Sequence, residues 1–183
     1  YDALISKYKT GPGMEEANWG RFLCEQYVIF YQNDIGDSIP SFWNINEEPC
    51  VRSESYKKAL QYGEKSGNRE NYERLAEQIE EYKNKYRKAK KEFPEGSQVF
   101  ICFKDSGTDD SNVGYQIYNS FARKYNVFFS RESLNNIRGN DYEPYIYHAL
   151  TTAKVLIVIC SGRESLESKW VHNEWWRFWK KMR

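Results

Sequence analysis

The runs Val99-Phe100-Ile101-Cys102-Phe103-Lys104, Val127-Phe128-Phe129-Ser130-Arg131 and Lys154-Val155-Leu156-Ile157-Val158-Ile159-Cys160-Ser161-Gly162 decide the fold. Each is a short apolar stretch of β-prone residues, and helical patterns separate them. Strands alternating with helices predict parallel βαβ units. In such folds ligands bind where the carboxyl ends of the strands meet the loops. Between the second and third runs lies Gly139-Asn140-Asp141-Tyr142-Glu143-Pro144-Tyr145-Ile146. Glu143, at the opening of a helix on that rim, is the first residue to consider for chemistry.

Working outward, the pattern predicts strands over 98–103, 126–130 and 154–159 and helices near 112–124, 141–152 and 170–182. The segments 104–111, 131–139 and 161–169 read as loops. Upstream, Phe93-Pro94-Glu95-Gly96 breaks a helix and marks a domain boundary. The expected layout is a mainly helical region over 1–94 followed by an α/β domain over 97–183. Within the first region, Tyr27-Val28-Ile29-Phe30-Tyr31 could end a helix or form a short strand, and the segment 33–40 carries turn chemistry.

The strongest single element precedes the break. Tyr72, Leu75, Ile79, Tyr82, Tyr86, Ala89 and Phe93 fall at alternating steps of three and four. Acids come first and bases later, as the helix macrodipole prefers. Such a seam over 72–93 either packs on its own domain or associates with a second copy, though repeated tyrosines disfavour a regular two-stranded zipper.

Composition narrows the function. The chain has 183 residues, 40% apolar and 17% aromatic, enough for a core; 29% are charged and the net charge is +1. That balance argues against a dedicated nucleic-acid binder, which needs a basic face. No apolar run approaches the roughly 20 residues that cross a bilayer, and Tyr1-Asp2-Ala3-Leu4 does not open a signal peptide. A cytoplasmic protein without membrane contact is expected. Cys24, Cys50, Cys102 and Cys160 form no C-x-x-C pair, and His148 and His172 stand far from them in sequence. A zinc or other metal site is therefore not expected. Cys102 and Cys160 read as small buried hydrophobes, and a Cys24–Cys50 bridge is disfavoured in a reducing compartment.

The quoted strands, together with Phe128-Phe129-Ser130-Arg131-Glu132-Ser133-Leu134, Gly139-Asn140-Asp141-Tyr142-Glu143-Pro144-Tyr145-Ile146 and Trp170-Val171-His172-Asn173-Glu174-Trp175, make the segment 97–183 resemble a TIR (Toll/interleukin-1 receptor) domain of the bacterial type. The resemblance implies a flavodoxin-like fold with a five-stranded parallel sheet. Only three strands are present, and the apolar face of Trp175, Trp176, Phe178 and Trp179 asks for further cover, so a longer parent protein is expected. The preceding region, around 19–24 and 56–62, looks like the amino-terminal extension that some bacterial TIR proteins carry, without the Cys/His metal spacing often found there.

What the resemblance implies is cleavage of the nicotinamide–ribose bond of NAD, by hydrolysis or cyclisation, in bacterial immune signalling. NAD is then the substrate, and no further cofactor is implied. Glu143 corresponds to the catalytic glutamate; with Asp141 as N-cap it would stand in the first helical turn, where a glutamate is also ordinary helix chemistry. Phe103 could stack on a ring of the dinucleotide or serve as a core aromatic. Arg131 could pair with the pyrophosphate, as could Lys104. Ser130 and Ser161 could donate hydrogen bonds from strand ends or only cap loops. Trp170 joins the binding set; its W-x-x-x-E spacing to Glu174 recurs in bacterial TIR proteins, and i,i+4 packing is its plainest reading. His148 reads as a partly exposed helical histidine rather than a base. Family members self-associate, one copy's BB loop completing another's pocket, and a downstream effector or receptor can read the product. Two rivals stand beside this reading: a TIR scaffold that only recruits other TIR domains, and a nucleoside deoxyribosyltransferase-like enzyme that also uses a rim carboxylate.

Overall fold

A computed structural model describes residues 13–32, 36–104, 108–135 and 142–182. The chain divides into two compact units, Tyr1–Asn84 and Lys85–Arg183. The division falls inside a long helix, ahead of the Phe93–Gly96 break. The last turns of that helix belong with the second unit because Tyr86 meets the Tyr147 ring edge-on at 5.7 Å and Glu92 accepts a hydrogen bond from the Tyr145 hydroxyl at 2.5 Å.

The first unit contains α1 (Met14–Glu25), an antiparallel hairpin of β1 (Val28–Gln32) and β2 (Ser38–Phe42), a 3-10 turn (Cys50–Arg52), α2 (Glu54–Ser66) and the start of α3 (Arg69–Glu92). The region is mainly helical, as expected, with one hairpin inserted between its first two helices. Val28 turns inward to the core while Ile29 faces solvent, the alternation of a half-buried strand. Pro40 is tolerated in β2 because a two-stranded sheet consists only of edges. The Ser53 hydroxyl caps α2, accepting from the Tyr56 N–H at 3.1 Å. Phe22, Val28, Phe42, Cys50 and Ile79 form the centre of the core.

The seam of α3 is consumed within the chain. Tyr72, Leu75 and Ile79 are buried in the first unit, and Tyr86 and Ala89 in the second. Tyr82 stacks on Phe42 with ring centroids 4.2 Å apart. These side chains find apolar neighbours within their own units, as the packing reading of the seam expects.

In the second unit, β3 (Val99–Phe103) lies between β4 (Val127–Phe129) and β5 (Val155–Ile159), and both pairings are parallel. All five residues of β3 are buried, as a central strand covered on both faces requires. Val99, Ile101 and Phe103 face one layer with Ile117 and Tyr118 of α4 (Thr108–Phe121). Phe100 and Cys102 face the other, with Ile146 and Leu150 of α6 (Glu143–Thr152) and Val171 of α8 (Lys169–Lys181). One-turn helices α5 (Ser130–Ser133) and α7 (Arg163–Leu166) occupy parts of predicted loops. Helix α4 opens earlier than the sequence pattern suggests, with Asp109 and Asp110 in its first turn, where the macrodipole favours acids.

Three smaller expectations change. Cys160 is exposed, since it lies one residue past the end of β5, whereas Cys102 is buried. His148 is buried and donates from Nε2 to the Phe93 carbonyl at 2.8 Å, so it is neither partly exposed nor poised as a base. Cys24 and Cys50 are both free thiols. Among the described residues no helix is long and apolar enough to cross a membrane.

Candidate functional site

A cavity of about 650 Å³ opens at the carboxyl ends of β3 and β4. Its size lies within the range of roughly 300–1,000 Å³ common for small-molecule sites. Phe103 ends β3 and Lys104 follows it; Ser130 and Arg131 follow β4 in α5; Trp170 and Glu174 come from α8. The rule that parallel sheets bind ligands beyond their strand ends is met by the geometry. The Ser168 hydroxyl fixes the start of α8, accepting from the Val171 N–H at 3.4 Å.

Helical phase explains what α8 offers. Val171 is fully buried against the sheet, and Glu174, three residues on, shares that face. Glu174 is only 5% exposed, yet it lines the cavity. Burial pushes its carboxyl up to about 7, against the smaller opposing pull of hydrogen bonds from the Cys102 thiol and the Trp170 side chain and of the Arg177 charge. Desolvation wins because two weak donors and one offset cation do not replace a hydration shell. The Cys102 thiol is itself held far above its ordinary range, first by burial and then by Glu174, so it stays protonated, and its sulfur lies 4.0 Å from the Val171 carbonyl.

The rest of the wall is aromatic or cationic. Phe103 is 4% exposed and packs on Phe129 with centroids 5.2 Å apart, so it combines the two roles considered for it, core residue and cavity wall. Trp170 is 45% exposed and meets Tyr142 edge-on at 6.3 Å, which places two rings at the mouth. Lys104, Arg131 and Lys169 supply three cations around one carboxylate.

The cavity therefore gathers Phe103, Lys104, Ser130, Arg131 and Trp170, but among the described lining residues neither Glu143 nor Ser161 is present. Glu143 is the first residue of α6, with its side chain 41% exposed and its Oε1 3.9 Å from Arg177 Nη2. Ile146 takes the position of α6 that faces the cavity. Partial burial raises the Glu143 carboxyl, and Arg177 offsets part of the rise. Tyr142 occupies the N-cap position without a side-chain hydrogen bond, and Asp141, the expected cap, lies outside the described residues. Ser161 follows β5, across β3 from β4, and is exposed.

Glu174 is the residue that reading for helix openings overlooks. Its signal is the i,i+4 relation to Trp170 combined with its place on the Val171 face, where a carboxylate must be buried. Among the described residues no group of three or more His, Cys, Asp and Glu side chains could hold a metal ion. No family model, curated protein or solved structure matches the chain.

Proposed function

We propose that the second unit is a TIR-like domain that cleaves the nicotinamide–ribose bond of NAD, with Glu174 rather than Glu143 as the carboxylate at the anomeric carbon. The single observation that carries this reading is the buried Glu174 in an aromatic cavity that also presents three cations at the ends of parallel strands. The strand order β4-β3-β5 supports it, being how a flavodoxin-like sheet begins.

The chemistry needs little else. Nicotinamide leaves as a neutral base, so no general acid is required. The ribose left behind has oxocarbenium character, and an ionised carboxylate beside it stabilises the developing charge or attacks the carbon. Lys104, Arg131 and Lys169 are suited to the pyrophosphate, while Trp170 and Phe103 offer ring faces and edges to the bases. Because the ionised form of Glu174 acts, turnover rises with pH through about 7. Assembly of several copies around the pocket, work in the cytoplasm where NAD is abundant, and a role in bacterial immune signalling complete the proposal.

The three cations favour a substrate with phosphates over the neutral nucleosides of a deoxyribosyltransferase. The test is incubation with NAD at high protein concentration, with product masses recorded for wild type, Glu174→Gln and Glu143→Gln. We expect wild type to release nicotinamide and Glu174→Gln to lose about 100- to 1,000-fold, with a clearly smaller loss in Glu143→Gln. Folded wild type that associates but leaves NAD intact would support the scaffold rival, and turnover of deoxynucleosides alone would support the transferase.

A further inference from the structure

The stretch Ser111–Ala122, nearly all of it in α4, holds no Asp, Glu, Lys or Arg, in a chain of which 29% is charged. A surface helix whose outer side meets only water ordinarily carries charge there. Instead Tyr115, Tyr118, Ala122 and Tyr125 recur at steps of three and four along one flank. The Ala122 N–H donates to the Tyr118 carbonyl at 2.8 Å and the Tyr125 N–H to the Phe121 carbonyl at 3.0 Å, so the helical course runs on to Tyr125. The flank is open: Phe121 is 39% exposed, Tyr125 46% and Tyr115 48%, while Tyr118 is half-buried. Tyr115 stacks on Tyr118 with centroids 6.5 Å apart, and Phe121 lies 6.0 Å from Tyr125. Tyr118 in turn stacks on the buried Phe129 at 5.7 Å. The rings are thus held by one another and by the core, and lose little further freedom on being covered.

We propose that this flank of α4 is an interface with a second copy of the chain, the two helices running antiparallel about a two-fold axis at the level of Gln116 and Ile117. The argument is charge complementarity. Asp109 is exposed in the first turn of α4, and Arg123 and Lys124 are exposed just past its end. In the antiparallel register Tyr115 of one copy is level with Tyr118 of the second, and Asp109 with Lys124. Acid then meets base at both ends, the macrodipoles oppose each other, and the middle brings ring against ring with no charge to desolvate. A parallel pairing would set acid against acid. The surface complements itself, which is what a two-fold interface requires; any other partner would have to repeat the same uncharged span between opposite charges about 22 Å apart.

The size of the patch sets the strength. Four rings of roughly 150–250 Å² each, a little under half exposed, offer roughly 350 Å² per copy. A standard stable complex buries about 800 Å² per partner, so the pairing is weak and reversible. Helix α4 packs on the sheet face opposite α6 and α8, and none of the described residues lining the cavity belongs to it. The inference therefore goes beyond the NAD reading and stands or falls without it.

The test is sedimentation equilibrium of the whole chain from about 10 μM to about 1 mM, without substrate, with circular dichroism to confirm folding. Wild type should pass from one copy towards two across that range. Tyr115→Arg should weaken association at least about tenfold; should it not fold, Tyr125→Arg, which is farther from the core, serves instead with the same expectation. Asp109→Lys and Lys124→Glu should each weaken it about threefold or more, because each places like charges opposite each other at both ends. An equimolar mixture of these two variants should associate as wild type does, since in the mixed pair every acid again faces a base. Wild type that stays a single copy up to 1 mM, or a folded tyrosine variant that associates as well as wild type, overturns the interface. A mixture that associates no better than its separate components overturns the antiparallel register.

Discussion

Lys83 in the first unit and Glu174 in the second are both buried charged side chains, and the two are treated in opposite ways. In the first unit Lys83 is fully buried, yet its ammonium donates to Gln26 Oε1 at 2.5 Å and to the Glu48 carbonyl at 2.7 Å, with Glu80 Oε1 at 3.5 Å. In the second unit Glu174 is 5% exposed and receives two weak donors and the partial attention of Arg177. The ammonium has its three donors answered and serves to tie α3 to the loop before the 3-10 turn. The carboxylate is left under-compensated, next to open space. A buried charge with full compensation is an architectural device, whereas one held near its ionisation point beside a cavity is a candidate for chemistry.

The largest effect that would sharpen this contrast is in the first unit. Lys83→Ala should leave Gln26, Glu48 and Glu80 facing a void, and should destabilise the protein by about 3–5 kcal/mol. Urea unfolding should show that loss at every pH from 5 to 8. A cost below about 1 kcal/mol would mean that the lysine is not the tie described here.

Glu174→Gln should do the reverse, by an amount that grows as the pH rises from about 4.5 to 7. Glu174 binds its proton more tightly in the folded chain, at about 7 against an ordinary 4.5. Its contribution to stability is therefore present in full below about pH 4.5 and lost as the pH rises through 7. The variant lacks that loss, so it should match wild type near pH 4.5 and exceed it by up to about 3 kcal/mol at pH 8. Thermal unfolding across that range checks the sign; a variant less stable than wild type at pH 8 would contradict it. Stability gained as activity is lost is a common trade at working sites.

The smallest effect concerns the cap that aims the helix carrying Glu174. Ser168→Ala removes the acceptor for the Val171 N–H and should cost about 0.5–1 kcal/mol, read as a small fall in melting temperature. A larger cost would place Ser168 among the structural ties rather than the caps.

Much of this architecture is readable in the residues. The three apolar runs become three parallel strands because β-branched and aromatic residues in short stretches, separated by helix-period patterns, have few other solutions. The amphipathic stretch of about 69–93 becomes α3 for the same reason, its apolar positions every three or four residues. The run Tyr27–Tyr31, which holds most of β1, admits two readings because five apolar residues carry no period long enough to choose between helix and strand. Phe103, Lys104, Ser130 and Arg131 line the cavity because they stand at the ends of parallel strands, while Trp170 reaches it from α8.

Glu143 and Glu174 are not separable on those grounds. Both are helical glutamates near the rim, and the difference lies in which face of its helix each occupies relative to a sheet that the linear sequence does not draw. Val171, three residues before Glu174, reveals that face once the strand positions are known. Ser161 lies outside the cavity lining for a related reason: the cavity opens on the β4 side of β3, and strand order alone does not say which pair of ends will part.

The most direct measurement is the ionisation of one carboxyl group. A ¹³C titration of wild-type protein, with the Glu174 resonance identified by its absence in Glu174→Gln, should show a midpoint near 7 that moves when a dinucleotide occupies the cavity. A midpoint near 4.5, indifferent to NAD, would mean that this side chain is an ordinary solvated glutamate and that the cavity lacks its reactive group.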